Sequence, residues 1–157
     1  ITDWSTIKTT LKDNLKDYPI EYLRNKVTDD RYKDELVKKL AKYNSDTWDE
    51  IFSLDITDDF DIKDNVVENI KKDIDFYFDT YAGGDEETRE FTKYISLYLI
   101  LIAEKPLHPF GDDPAKDNVF LENNEYKCKS RIMHIKEENS LCRYFICKNA
   151  GYSFGFF

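Results

Sequence analysis

At 157 residues with a net charge of -9, the chain is long enough to bury a core without disulfide staples. The net acidity disfavours general nucleic-acid binding, because such a surface repels the phosphates whose neutralisation supplies most non-specific affinity. No apolar run approaches the roughly 20 residues that span a bilayer; the longest candidate, Ile95 to Ala103, is short and bounded by Lys93 and Glu104.

Trp4, Ile7, Leu11 and Leu15 recur at spacings of three and four, which predicts an amphipathic helix beginning after Asp3. Pro19 suits the first position of a second helix carrying Ile20, Leu23 and Val27. A third is expected from about Asp30 with Tyr32, Leu36, Leu40 and Tyr43 as its buried stripe, followed by a short separate helix from Thr47 to Leu54. The acidic run Asp55 to Asp61 lacks helical period and reads as a loop. It has neither the turn glycine nor the distal glutamate of a calcium loop. Ile62, Val66, Ile70, Ile74, Phe78 and Tyr81 then mark a long helix closed by Gly83 and Gly84, and a last long helix starts near Asp85. Leu97 to Ala103 is apolar on all sides, so this helix is expected at the centre of the bundle, stopped by Lys105 and Pro106.

Beyond Pro106 the texture changes. Pro106, Pro109, Gly111 and Pro114 exclude regular structure over their span. Val119 to Leu121 and Tyr126 to Cys128 read as a hairpin whose connection, Glu122 to Glu125, is longer than an Asn-Gly turn. Asn139 or Ser140 is expected to cap a closing helix with Leu141, Tyr144 and Phe145, ended at Gly151. The aromatic tail Tyr152 to Phe157 needs something to dock on. The chain thus reads as a single domain, mainly α: a multi-helix bundle over residues 1–104 with a small irregular or β-hairpin C-terminal lobe over 105–157.

All five Cys and His residues fall in that lobe: His108, Cys128, His134, Cys142 and Cys147. Charge divides along the same boundary, with -10 on residues 1–104 and +1 on 105–157. Lys127, Lys129, Arg131, His134 and Lys136 form a basic strip, read first as a solvated strand face. Three cysteines without a dense pattern suit a reduced, cytoplasmic protein.

Three functions fit these residues. In the first, Cys128, His134, Cys142 and Cys147, with His108 as a substitute ligand, hold a metal of the zinc type. Its weakness is that Cys142 and Cys147, five apart on a regular helix, point about 140° away from each other. In the second, Cys142 in the first turn of a helix is a thiol nucleophile, His108 its base and Asp112 or Asp113 the group orienting the imidazole. In the third, the Cys and His residues merely pack, and the protein is a helical interaction module whose partner is another protein.

Lys105, Pro106, Leu107, His108, Pro109, Phe110 and Gly111, then Tyr126 two before Cys128, then Leu141 and Cys142, resemble the C-terminal signature of an uncharacterised archaeal family found mostly in methanogens, domain of unknown function 2115. No activity is established for that family, so the resemblance implies no reaction. It implies a shared site at His108, Cys128 and Cys142. Phe145 stands where the family carries a further Cys, Cys147 lies two positions on, and His134 matches nothing in the pattern. The resemblance does not choose between metal and catalysis: zinc is the expected cofactor of the metal reading alone, whether the chain is an enzyme stays open, and neither membrane nor nucleic acid is an expected partner.

Overall fold

The structure is a computed structural model that describes residues 2–31, 33–53, 61–62, 64–82, 85–136 and 140–150. The chain opens with β1 (Thr2–Asp3), α1 (Trp4–Leu15), α2 (Ile20–Thr28) and α3 (Glu35–Ser53). Then come β2 (Asp61–Ile62), α4 (Asp64–Tyr77) extended by a π-helical turn (Phe78–Ala82), and α5 (Glu86–Tyr98) extended by another (Leu99–Ala103). The lobe adds β3 (Val119–Glu122), β4 (Glu125–Cys128), α6 (Arg131–His134), a 3-10 turn (Leu141–Tyr144) and β5 (Lys148–Asn149). The architecture is mainly α with a small β-containing lobe at its C-terminal end, and among the described residues no helix is long and apolar enough to cross a membrane.

The bundle forms because each helix must cover one apolar stripe. Ile7, Leu11 and Leu15 of α1, Ile20 and Leu23 of α2, Ile70 and Ile74 of α4, and Phe91, Ile95 and Leu99 from α5 onward meet in one core. Burying a side chain of this size contributes about 1.5–3 kcal/mol. The Asp85 side chain caps α5 by accepting the Thr88 N–H at 2.7 Å, which also holds its carboxyl below the usual range. Leu97, Tyr98 and Leu99 are almost fully buried, as the all-round apolar stretch requires. The helix then closes at Glu104, which is left-handed at φ 52°, while Lys105 N–H returns to the Leu99 carbonyl at 3.1 Å.

Four expectations need correction. The third and fourth predicted helices are one: α3 runs unbroken through Asn44, Ser45 and Asp46. Its inward face is Ala41, Ser45, Thr47 and Ile51, whereas Leu36 is 73% exposed and Leu40 39%. Ser45 and Thr47 tolerate the interior because their hydroxyls donate to the Lys42 and Tyr43 carbonyls. Secondly, Asp61 and Ile62 do not lead into α4 but pair antiparallel with Asp3 and Thr2. Thirdly, the hairpin connection is a two-residue turn, with Asn123 and Asn124 at φ 52° and 64°, the type I′ pattern that asparagine tolerates.

Lastly, the closing helix is absent. Ser140 does cap, accepting the Cys142 N–H at 3.2 Å, but only a single 3-10 turn follows. The chain then extends so that Lys148 and Asn149 pair parallel with Lys127 and Cys128. The open edge of β4 offers a ladder that a short helix would forgo. The predicted stop at Gly151, the aromatic tail, Tyr32, the acidic residues from Asp55 to Phe60 and the Gly83–Gly84 stop lie outside the described residues.

Candidate functional site

The proline loop is pinned to the bundle from α3. The Tyr43 hydroxyl donates to the Pro106 carbonyl at 2.6 Å, and Lys105 pairs with Glu50 at 3.2 Å. Phe110 sets its ring against Tyr43 at 5.9 Å and against Tyr126 of β4 at 4.8 Å, both edge to face. Loop, helix and sheet thereby share one aromatic wall.

Gly111 shows what the loop demands of its sequence. Its N–H donates to the Val119 carbonyl and its carbonyl accepts from Leu121, so the loop lies alongside β3. An added Cβ would stand 2.0 Å from the Asp117 carboxylate, which is itself held by the Asp113 N–H at 3.0 Å. Gly111→Ala should therefore push Asp117 off its partner and destabilise the fold by about 1–3 kcal/mol; a denaturant melt unchanged to within about 0.5 kcal/mol would contradict this close approach.

The five predicted Cys and His residues fall into two groups. Cys128 ends β4, Cys142 lies in the 3-10 turn and Cys147 precedes β5; all three are half-buried and outside any disulfide. The predicted divergence of Cys142 and Cys147 does not arise, because no helix joins them. Cys147 lies within electrostatic reach of both other sulfurs. Extending the β4–β5 register by one residue sets Cys147 opposite Tyr126, on the sheet face it shares with Cys128. Such diagonal neighbours are about 7–8 Å apart at Cα, beyond the roughly 6.8 Å that a disulfide accepts.

The imidazoles form the second group. His108 is exposed, yet the protein around its ring, and secondly the neighbouring His134 on α6, hold its pKa below 6.5, so it is mostly neutral at pH 7. Among the described residues no set of three or more His, Cys, Asp or Glu is gathered closely enough to hold a metal ion. Cys142 does not open an α-helix, and Asp113 is committed to the Ala115 N–H.

Burial raises the Cys147 thiol to about 11, with Cys128 adding to the shift and Arg131 opposing it. The folded protein then keeps a proton that the unfolded chain releases from pH 9 upward. This contribution is intact below pH 9 and declines between pH 9 and 11. Thermal melts across that window should fall less steeply for Cys147→Ser than for the wild type; equal slopes would remove the thiol from the account.

Two ties of the lobe have no signal in the sequence. Arg131 donates to the Cys142 carbonyl. Asp73 of α4, 9% exposed, accepts through one carboxylate oxygen from both Arg143 and the Tyr144 hydroxyl, tying the 3-10 turn to the bundle. These contacts span 70 and 71 residues, so no local spacing signals them. The basic strip is partly neutralised in place: Lys127 pairs with Glu122 at 3.1 Å, and Lys129 lies 6.0 Å from the Phe120 ring centre. A shallow cleft on the bundle is lined by Asn14, Asp17, Tyr18, Glu87, Glu90 and Phe91, none of them in the lobe.

A family described as an uncharacterised protein conserved in archaea, domain of unknown function 2115, matches residues 3–150. The chain belongs to this family. A UPF0305 protein of Methanocaldococcus jannaschii is 28% identical over 145 residues, spanning 87% of this chain and 88% of the relative. No solved structure matches the chain. The match takes in His108, Cys128, Cys142 and Cys147 along with the helical part, so bundle and lobe belong to one family unit.

Proposed function

We propose that the C-terminal lobe is a soft-cation site of the zinc type, built on the thiols of Cys128, Cys142 and Cys147 with His134 or His108 as the imidazole donor. What supports this reading is that cysteines from three separate segments fall in one lobe, with Cys128 and Cys142 within electrostatic reach of Cys147. Thiolate and imidazole donors together favour zinc among the common divalent ions. A diagonal cross-strand pair too wide for a disulfide suits a shared cation, because sulfurs about 2.3 Å from a tetrahedral metal stand about 3.7 Å apart.

The described side chains are not gathered for coordination, so on this reading the site forms only as a cation draws the thiols together. Binding must also strip the proton from Cys147, so uptake releases protons and strengthens as pH rises. Three cysteines outside any disulfide suit a reducing compartment, and the cytoplasm is the location this reading assigns.

Cobalt(II) is the direct spectroscopic probe. Added to the untagged protein, it should give thiolate-to-metal charge-transfer absorption with the intense visible bands of a tetrahedral site, both lost in Cys147→Ser. A spectrum indistinguishable from aqueous cobalt in the folded wild type would defeat the reading.

A further inference from the structure

The cleft on the bundle has an aromatic floor and an acidic rim. Asn14, Asp17 and Tyr18 come from the end of α1 and the turn after it, and Glu87, Glu90 and Phe91 from the first turns of α5. Tyr18 stacks on Phe91 with ring centres 4.0 Å apart; Phe91 is buried, whereas Tyr18 stays half-exposed as the aromatic surface of the cleft. The turn holds that ring in place, because the Tyr18 N–H donates to the Leu15 carbonyl at 3.1 Å and the Trp48 indole N–H to the same carbonyl at 3.0 Å. The polar lining presents mostly acceptors. Asn14 commits an amide N–H to the Thr10 carbonyl at 2.7 Å, and Glu90 pairs with Lys93 at 3.0 Å. No lining residue is basic, and among the described residues no ion pair neutralises Asp17 or Glu87.

We propose that this cleft docks a basic segment of a protein partner, taking a lysine or arginine side chain over the Tyr18 ring and between the Asp17 and Glu87 carboxylates. The inference is independent of the lobe and its thiols. An aromatic face attracts a cation through the ring quadrupole, and carboxylates beside it add to that attraction. Among the described residues no set of three or more His, Cys, Asp or Glu is close enough to hold a metal ion, so these carboxylates suit an organic cation with an apolar stem and not a bare ion. The cleft encloses about 140 Å³, well below the roughly 300 Å³ at which pockets for whole small ligands begin. It therefore takes the end of one side chain, while the rest of the partner lies on the bundle. Residues 1–104 carry a net charge of -10, which draws a basic chain towards that surface.

The test is fluorescence anisotropy of a dye-labelled peptide of alternating arginine and glycine, titrated at physiological ionic strength with the full chain. Three variants accompany the wild type: Asp17→Asn with Glu87→Gln, Tyr18→Leu, and a control pair on exposed acids away from the cleft, Asp30→Asn with Glu35→Gln. The cleft pair should weaken binding by roughly 3- to 10-fold, the loss of two exposed ion pairs. Tyr18→Leu should weaken it by roughly 2- to 5-fold, the share of the cation–π contact. The control pair removes the same charge but should stay within about 2-fold, because salt screens distant charges. Circular dichroism checks folding, and the exposed cleft pair keeps the test decisive where Tyr18→Leu disturbs its stack on Phe91. No binding by the wild type would overturn the proposal. Equal weakening by the cleft and control pairs would overturn it too, reducing the attraction to net charge. Cadaverine displacing the peptide as effectively as unlabelled peptide does would assign the cleft to a free amine and overturn the protein partner.

Discussion

Replacing Asp73 with alanine is expected to destabilise the protein by about 2–3 kcal/mol, equivalent to a fall of about 5–10 °C in Tm. The carboxylate is buried and carries both ties between the 3-10 turn and α4, the Arg143 guanidinium and the Tyr144 hydroxyl on a single oxygen. Hydrogen bonds to a charged group contribute about 1.5–3 kcal/mol each. The Arg143 side chain is 46% exposed, so its share is discounted for solvent screening and Tyr144 carries the larger part. Asp73→Asn, which keeps an acceptor, should lose less than half as much. If Asp73→Ala melts within about 0.5 kcal/mol of the wild type, the 3-10 turn is held by packing alone, through the buried Phe145 ring.

That tie shows where sequence reading stops. Helices α1, α2 and α5 were legible because each carries a stripe of regular period and a recognisable start, at Asp3, Pro19 and Asp85. α3 was split and rotated in the reading because Asn44, Ser45 and Asp46 look like a break, and because Leu36 and Leu40 are apolar yet exposed. Burial belongs to the partner as much as to the residue, and α2 covers a different face. The closing segment failed for a related reason. Leu141, Tyr144 and Phe145 have helical spacing, but the free edge of β4 recruits Lys148 and Asn149 into a strand. In the lobe, the clustering of His108, Cys128, His134, Cys142 and Cys147 was visible from composition. Their division into a thiol trio and an imidazole pair depends on tertiary contacts.

The second large effect concerns Cys147, the sulfur that acts on both others. Structural zinc sites bind with about 10–16 kcal/mol, so one of four ligands carries about 3 kcal/mol, or roughly 100-fold in affinity. Cys147→Ser should weaken zinc binding by at least that factor. Its effect on the stability of the metal-free protein should be small below pH 9, where the thiol is protonated in the folded and the unfolded chain alike. Cys128→Ser and Cys142→Ser should follow in the same direction. A core defect would behave in the opposite way, lowering stability at every pH regardless of metal. An isothermal titration in which all three serine variants keep wild-type zinc affinity would exclude the thiols as ligands.

The most direct measurement is the metal content of protein purified without a polyhistidine tag, read by native mass spectrometry beside Cys147→Ser and His108→Ala. The account predicts close to one zinc-class ion per wild-type chain, lost in Cys147→Ser. Folded, metal-free protein in all three samples, unchanged after incubation with zinc, would contradict it and leave the three cysteines as packing residues of the lobe.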